Sequence, residues 1–241
     1  MPEAAARRAE LLAALDSVGI LRRDTFPLPG TDQTIQVTRP GDFDRLLDAA
    51  VADPEQNLPY WAELWPSGIA LATTIARNPA ALRGRRVLEL GCGLGVTAIA
   101  ALRAGADLFV TDYAQEALTL CALNALDQAG EEPRTRRLNW RDPDPDFLAG
   151  VGEGFPLVLA ADVLYEGRDV APLLELVERI VAPHGELWLA EPGRPPAGRF
   201  VETMRGLGWR DASEASVGPW PDPEDNRKGV VVTTHRLRRL G

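Results

Sequence analysis

From residue 84 onward, short apolar runs alternate with longer helix-forming segments. The runs at 86–90, 107–111, 134–138, 157–161 and 186–190 have the length and bounding residues of buried strands. The segments between them at 95–104, 114–128 and 170–181 read as helices. Strand and helix in strict alternation predict a parallel sheet with right-handed crossovers and helices on both faces. A helix at 198–207, a weaker strand near 212–217 and a strong apolar run at 229–235 follow. The Pro- and Asp-rich loop at 219–227 joins the last two strands as a hairpin would, so the final strand is expected to enter antiparallel. The expected fold is α/β, a Rossmann-like and mostly parallel sheet.

The pattern differs before residue 57. Residues 3–16 are rich in Ala, Leu, Glu and Arg and read as an amphipathic helix. Residues 34–38 alternate and stop at Pro40, which suits a short strand, and 43–52 read as a second helix. We read 1–56 as a helical N-terminal extension or cap and 57–241 as the main domain. The opening stretch of that domain, 57–66, is dense in aromatics, and a helix from 67 to 77 leads into the sheet.

Composition narrows the classes. A chain of 241 residues is long enough for one large α/β domain with a full core. Its net charge of −9 argues against broad affinity for nucleic acid, with local basic residues at Arg134, Arg136 and Arg137. No membrane-spanning run or signal-peptide pattern stands out, so a soluble, cytoplasmic protein is expected. Two cysteines, Cys92 and Cys121, and two histidines, His184 and His235, are too few for a metal cluster.

The richest local pattern is Glu89-Leu90-Gly91-Cys92-Gly93-Leu94-Gly95, set between a strand and a helix. Glycines let the chain turn sharply and let a ligand press against bare backbone. A dinucleotide fingerprint needs G-x-G-x-x-G, but here the third glycine comes one residue early and Val96 takes the last position. Glu89 would repel a pyrophosphate and hold a cationic amino group, such as that of S-adenosyl-L-methionine. Gly91, Gly93 and Gly95, with Glu89, are therefore candidate cofactor residues; a plain tight turn is the alternative.

In an open parallel sheet the ligand lies beyond the carboxyl ends of the strands. Asp112 follows the second strand of the sheet, about 20 residues past the first glycine, where a carboxylate binds ribose hydroxyls. It serves equally as a cap on the next helix, and both roles can hold at once. Asn139 and Trp140 follow the third strand and are candidates to flank an adenine ring, with Trp140 also readable as core. Ala161, Asp162 and Tyr165 follow the fourth, facing the presumed reaction centre, or acting as a cap and a packed phenol. Glu191-Pro192-Gly193-Arg194-Pro195 follows the fifth and either walls the substrate side or simply connects. Trp61 and Trp65, in Tyr60-Trp61-Ala62-Glu63-Leu64-Trp65-Pro66, either attract a cation through their ring faces or form a structural lid.

The loop at 89–95, Asp112 and Asp162 together resemble the class I S-adenosylmethionine-dependent methyltransferases. The resemblance covers about 57–240 and implies a seven-stranded sheet whose last strand is antiparallel. The segment from Pro59 to Gly68 and the motif Asp162-x-x-Tyr165 are similar to the family-16 protein-lysine methyltransferases. In that group the D-x-x-Y motif helps to hold the target lysine. Pro192-Gly193-Arg194-Pro195 is most like the branch that modifies the β subunit of electron-transfer flavoprotein. The resemblance implies S-adenosyl-L-methionine as cofactor, a protein substrate, and Asp162 and Tyr165 at the acceptor; the acidic charge and the lack of a spanning run lead us to expect no role for nucleic acid or membrane. A small-molecule N-methyltransferase and a non-catalytic cofactor-binding protein are the alternatives on the same fold.

Overall fold

The computed structural model describes residues 2–50, 58–218, 220 and 229–240. The 56/57 boundary, the end of the helix expected at 43–52, and all of the loop at 219–227 except Trp220 lie outside the described residues. In chain order the strands of the main sheet are β3 (Arg86–Leu90), β4 (Asp107–Asp112), β5 (Arg134–Arg137), β6 (Phe155–Ala161), β7 (Val181–Glu191), β8 (Arg210–Val217) and β9 (Val231–Arg238). They lie in the order β5-β4-β3-β6-β7-β9-β8. Neighbours are parallel from β5 to β7, and β9 pairs antiparallel with both β7 and β8. The antiparallel last strand is as expected from the terminal hairpin. Strand order reverses between β3 and β6, which opens a crevice at their carboxyl ends.

Strict alternation along the central strands builds two cores. Val87 of β3, Leu157 and Leu159 of β6, and Trp188 of β7 are buried on one face. They pack with the helices α3 (Pro66–Arg77), α4 (Val96–Arg103) and α5 (Gln115–Ala129). Leu88 and Leu90, Val158 and Ala160, and Leu187 and Leu189 point to the other face. There they meet α6 (Pro145–Gly150), α7 (Val170–Ile180) and α8 (Pro195–Gly206). Side chains two residues apart share a face of a strand, so central strands with both faces buried read as continuous apolar runs.

The N-terminal part corrects the expectation of a mainly helical extension. Besides α1 (Pro2–Ala13) and α2 (Phe43–Ala50) it contains an antiparallel hairpin of β1 (Leu21–Pro27) and β2 (Thr34–Pro40). β1 reads poorly as a strand because Arg22, Arg23 and Asp24 interrupt it, and within it only Phe26 is buried. α1 and β2 both pack on α5, and Leu11, Leu15, Ile35 and Val37 join the core of that face. Asn124 of α5, itself buried, accepts from Thr38 N and donates to Thr38 O and Leu94 O. One helical side chain thus ties the hairpin to the glycine loop.

Arg39, at the end of β2, is 1% exposed and donates to Asp24 and Glu63. Removing one partner of a buried ion pair strands the other charges. Arg39→Ala is expected to cost about 3 kcal/mol, or roughly 6–12 °C in melting temperature for a chain of this size. Differential scanning calorimetry checks this, and a shift under a degree or two would show that water takes over the pairing.

Candidate active site

The glycine loop is strapped to the end of β4. The N–H groups of Gly91 and Cys92 both donate to Thr111 O, and Gly93 N donates to Asp112 Oδ2 at 3.0 Å. Asp112 Oδ1 accepts from Ala114 N at 3.1 Å, at the entry to α5. The carboxylate therefore links loop, strand and helix. Gly91, Gly93 and Gly95 all have positive φ, which L side chains adopt only at a cost. Their surroundings differ. A Cβ on Gly91 would lie 2.9 Å from Val163 Cγ1, and one on Gly93 would lie 3.3 Å from Trp61 O. A Cβ on Gly95 would lie 2.9 Å from Cys121 Sγ and 3.0 Å from Cys121 Cα, so this glycine seats the loop on α5.

A cavity of about 310 Å³ opens above this loop at the β3/β6 crevice. Trp61, Trp65, Glu89, Gly91, Gly93, Asp112, Trp140, Ala161, Asp162 and Tyr165, all singled out from sequence, line it together. Gly95 and Asn139 are not among its lining residues. Asn139 turns back instead, its Oδ1 accepting from Arg141 N. The lining residues that sequence did not mark include Glu63, Tyr113 and Glu166. Tyr113 OH donates to Leu58 O at 2.7 Å, which fastens the aromatic segment over the cavity. Nothing in the local sequence signals a bond spanning 55 residues.

The cavity has two chemically distinct ends. At the loop end Glu89 is 2% exposed, and its Oε2 is buried with no hydrogen-bond partner among the described residues. Burial, then the nearby Asp112 charge, push its carboxyl well up, against a smaller opposing effect of the Thr97 hydroxyl. Burial also pushes Asp112 up to about 6, despite the N–H groups of Gly93, Ala114 and Tyr113. Two desolvated carboxylates, one with an unused oxygen, suit a ligand bearing a cationic amino group and hydroxyls. Bare backbone at Gly91 and Gly93 leaves room for that ligand to approach.

At the other end Asp162 follows β6. Its φ of 54° places a non-glycine residue in the left-handed region, with its N–H donating to Ala190 O. Backbone held this way tends to cluster where a side chain must be aimed. Asp162 Oδ1 accepts from Arg194 Nε at 2.8 Å, and Oδ2 accepts from Ser67 Oγ at 3.3 Å. Tyr165 stacks edge-on with Tyr60, centroids 4.9 Å apart, and Tyr60 does the same with Trp65 at 5.8 Å. Burial pushes the Tyr165 phenol up, so it stays protonated.

The turn after β7 carries Arg194 and is anchored from below. Glu191 Oε2 accepts from Gly193 N and Arg194 N at 2.6 and 3.1 Å. His235 of β9 bridges Glu191 and the buried Asp211 of β8. Burial alone would pull the His235 imidazolium down, but bonds and charges from Glu191 and Asp211 outweigh it and hold its pKa above the ordinary value. Sequence marked this turn as a possible wall but gave no sign of its anchor.

A family model described as lysine methyltransferase matches residues 55–204. The chain is 35% identical over 148 residues to the electron transfer flavoprotein beta subunit lysine methyltransferase of Mus musculus, an alignment covering 57% of this chain and 52% of that one. To the Homo sapiens protein of the same name it is 46% identical over 148 residues, covering 57% and 50%. The chain spans about half the length of the curated relatives it matches. Among solved structures it shares its fold with magnesium protoporphyrin IX methyltransferase from Synechocystis PCC 6803 with bound SAM. The TM-score is 0.54 at 15% identity, covering 81% of this chain and 96% of that one. The family model takes in more than half of the sequence, including the glycine loop, Asp112, Asp162 and Arg194. The chain belongs to the lysine methyltransferase family.

Proposed function

We propose that this chain transfers a methyl group from S-adenosyl-L-methionine to the side-chain amine of a lysine in a protein substrate. The observation that carries this is a single cavity with a carboxylate-and-glycine cradle at one end and Asp162 with Tyr165 at the other. The chain's membership of a lysine methyltransferase family and the names of its relatives support lysine as the acceptor. We assign the transfer to 57–241 and a capping role to 1–56, consistent with the way Asn124 and Arg39 join the two parts.

The bound donor supplies an activated methyl group on a sulfonium, so positioning does most of the remaining work. Glu89 Oε2 takes the donor's amino group, which satisfies an otherwise orphaned buried oxygen. Asp112 accepts from ribose hydroxyls, Gly91 and Gly93 lie against the ligand, and Gly95 holds the loop from behind. Trp140, Trp61 and Ala161 line the same end, and Trp140 rather than Asn139 flanks the base. Asp162 orients the acceptor amine and receives its proton, and Tyr165 hydrogen-bonds it or presents its ring face. Trp65 and Tyr60 enclose the lysine stem.

No helix among the described residues is long and apolar enough to cross a membrane. Both cysteines are free and buried, which suits the reducing cytoplasm we propose as its location. No group of metal-binding side chains occurs among the described residues.

Affinity for the donor should depend on pH through Asp112. Its pKa is raised in the folded chain to about 6, so the carboxylate is lost as pH falls through that value. The contribution of the same shift to folding has the opposite sign: it is present below the ordinary value and lost as pH rises through about 6. Calorimetric titration with S-adenosyl-L-methionine from pH 5 to 7.5 is expected to show tightening up to about pH 6.5 and then a plateau. Asp112→Asn should bind weakly at every pH. A flat profile in the unaltered protein would remove the carboxylate from the ribose site.

The overall activity is tested by incubating the purified chain with methyl-labelled donor and host-cell lysate, then separating protein from small molecules. Label in a discrete protein band is expected. Label confined to the small-molecule fraction would make the chain a metabolite methyltransferase.

A further inference from the structure

A lysine must lose its proton before it can accept a methyl group, yet its pKa is about 10.4 in water. A lone carboxylate at the acceptor seat works against this, because a nearby negative charge holds an ammonium protonated. The lining of the cavity sharpens the conflict, since Glu63, Glu89, Asp112, Asp162 and Glu166 all border it. Among the described lining residues Arg194 is the only cation.

Its placement is specific. Arg194 Nε lies 2.8 Å from Asp162 Oδ1, and its guanidinium carbon sits 5.8 Å from the centroid of the Trp65 ring. Its side chain is 35% exposed while that of Asp162 is 4% exposed, so the cation stands at the entrance and the carboxylate behind it. The backbone that presents it is fixed by Glu191 Oε2, while Oε1 of the same carboxylate pairs with His235, which Asp211 holds in turn. Ser67, at the start of α3, is the remaining partner of Asp162 and is neutral.

Building on the lysine acceptor proposed above, we infer that Arg194 neutralises Asp162, so that the acceptor seat selects the neutral amine over the ammonium. The pair keeps the hydrogen-bond acceptor that orients the amine and cancels the negative charge nearest to it, that of Asp162. Oδ2, held by the longer bond to Ser67, is the oxygen that faces the incoming N–H. Arg194 also repels an arriving cation, so protonated lysine is disfavoured before it reaches Asp162. One amine proton leaves to solvent before the amine is seated; after transfer the donor departs as its neutral thioether and the methylated ammonium gives a second proton to Asp162.

The test uses n-butylamine, a lysine side chain without its backbone, and the full chain saturated with S-adenosylhomocysteine. Binding is followed by calorimetry between pH 7.5 and 10 for the unaltered protein, Arg194→Gln and Arg194→Lys. The partly exposed position of Arg194 on a turn makes both variants compatible with the fold, which circular dichroism checks. In the unaltered protein affinity should rise about tenfold per pH unit, following the neutral fraction below a pKa near 10.4. Arg194→Gln should bind the ammonium at pH 7.5 at least about tenfold tighter than the unaltered protein, with a flattened profile, because an uncompensated carboxylate nearby shifts an amine by about 1–3 units. Arg194→Lys should restore the steep profile. The same affinity and slope in all three proteins would overturn the role of Arg194 and leave the lysine acceptor standing. No amine binding by any of them at any pH would overturn the acceptor seat itself.

Discussion

Asp162→Asn is expected to reduce methyl transfer by about 100- to 1000-fold, the lower part of the range for loss of a positioned acid or base, while donor affinity stays within about threefold. Asparagine is the informative replacement because it tolerates the left-handed backbone at φ 54° and keeps an oxygen for Ser67. It removes the charge that pairs with Arg194 and, with it, the group we propose to receive the proton of the methylated amine. Asp162→Ala should be at least as inactive, with backbone strain added. The end of the cavity proposed to hold the donor is built from Glu89, Asp112 and the glycine loop, and Asp162 hydrogen-bonds instead to Ser67 and Arg194. Transfer assays with labelled donor, paired with calorimetry, separate the two effects. Equal loss of donor affinity and turnover would place Asp162 in the donor site instead.

Gly91→Ala and Gly95→Ala are expected to fail in opposite ways. At Gly91 the added methyl falls 2.9 Å from Val163 Cγ1, inside the cradle, with φ at 68°. The backbone cost alone is about 1–2 kcal/mol. With the cradle filled, donor affinity should fall by about 2 kcal/mol or more, roughly 30-fold in Kd. At Gly95 the methyl meets the Cα and Sγ of Cys121 on a buried helix, away from the cavity lining. That variant should lose about 2–4 kcal/mol of fold stability through overpacking and strain, with donor affinity near normal in the folded fraction. Thermal unfolding and donor titration on both proteins check the contrast. Loss of affinity in Gly95→Ala without loss of stability would assign that glycine to the ligand as well.

The contrast also marks how far the sequence carries. The run of three glycines announces a loop beside a ligand, but spacing alone does not distinguish a glycine that faces the ligand from one that faces a helix. The sheet was legible because its central strands are buried on both faces, leaving apolar runs such as Val87–Leu90 and Leu157–Ala160. β1 was hidden because its partner is a single strand and most of its side chains are polar. α6 was hidden by Asp142-Pro143-Asp144-Pro145, which reads as turn although Asp144 accepts from Asp146 N and caps the helix. At the site, residues just past strand ends were readable from topology, so Asp112, Asp162 and Tyr165 could be named in advance. The partners that set their chemistry could not. Ser67 is 95 residues and Arg194 32 residues from Asp162, and no local pattern joins them. His235 looks like a strand residue, and its grip on Glu191 exists only once β9 lies beside β7.

Methylation of a protein lysine in this cavity is what we propose above all. The most direct measurement is amino-acid analysis of the labelled band produced with methyl-labelled donor, run beside Asp162→Asn. Label recovered as N-methylated lysine, and lost in the variant, is the predicted result. Label recovered on arginine, histidine or a carboxyl group, or persisting at full level in Asp162→Asn, would contradict it.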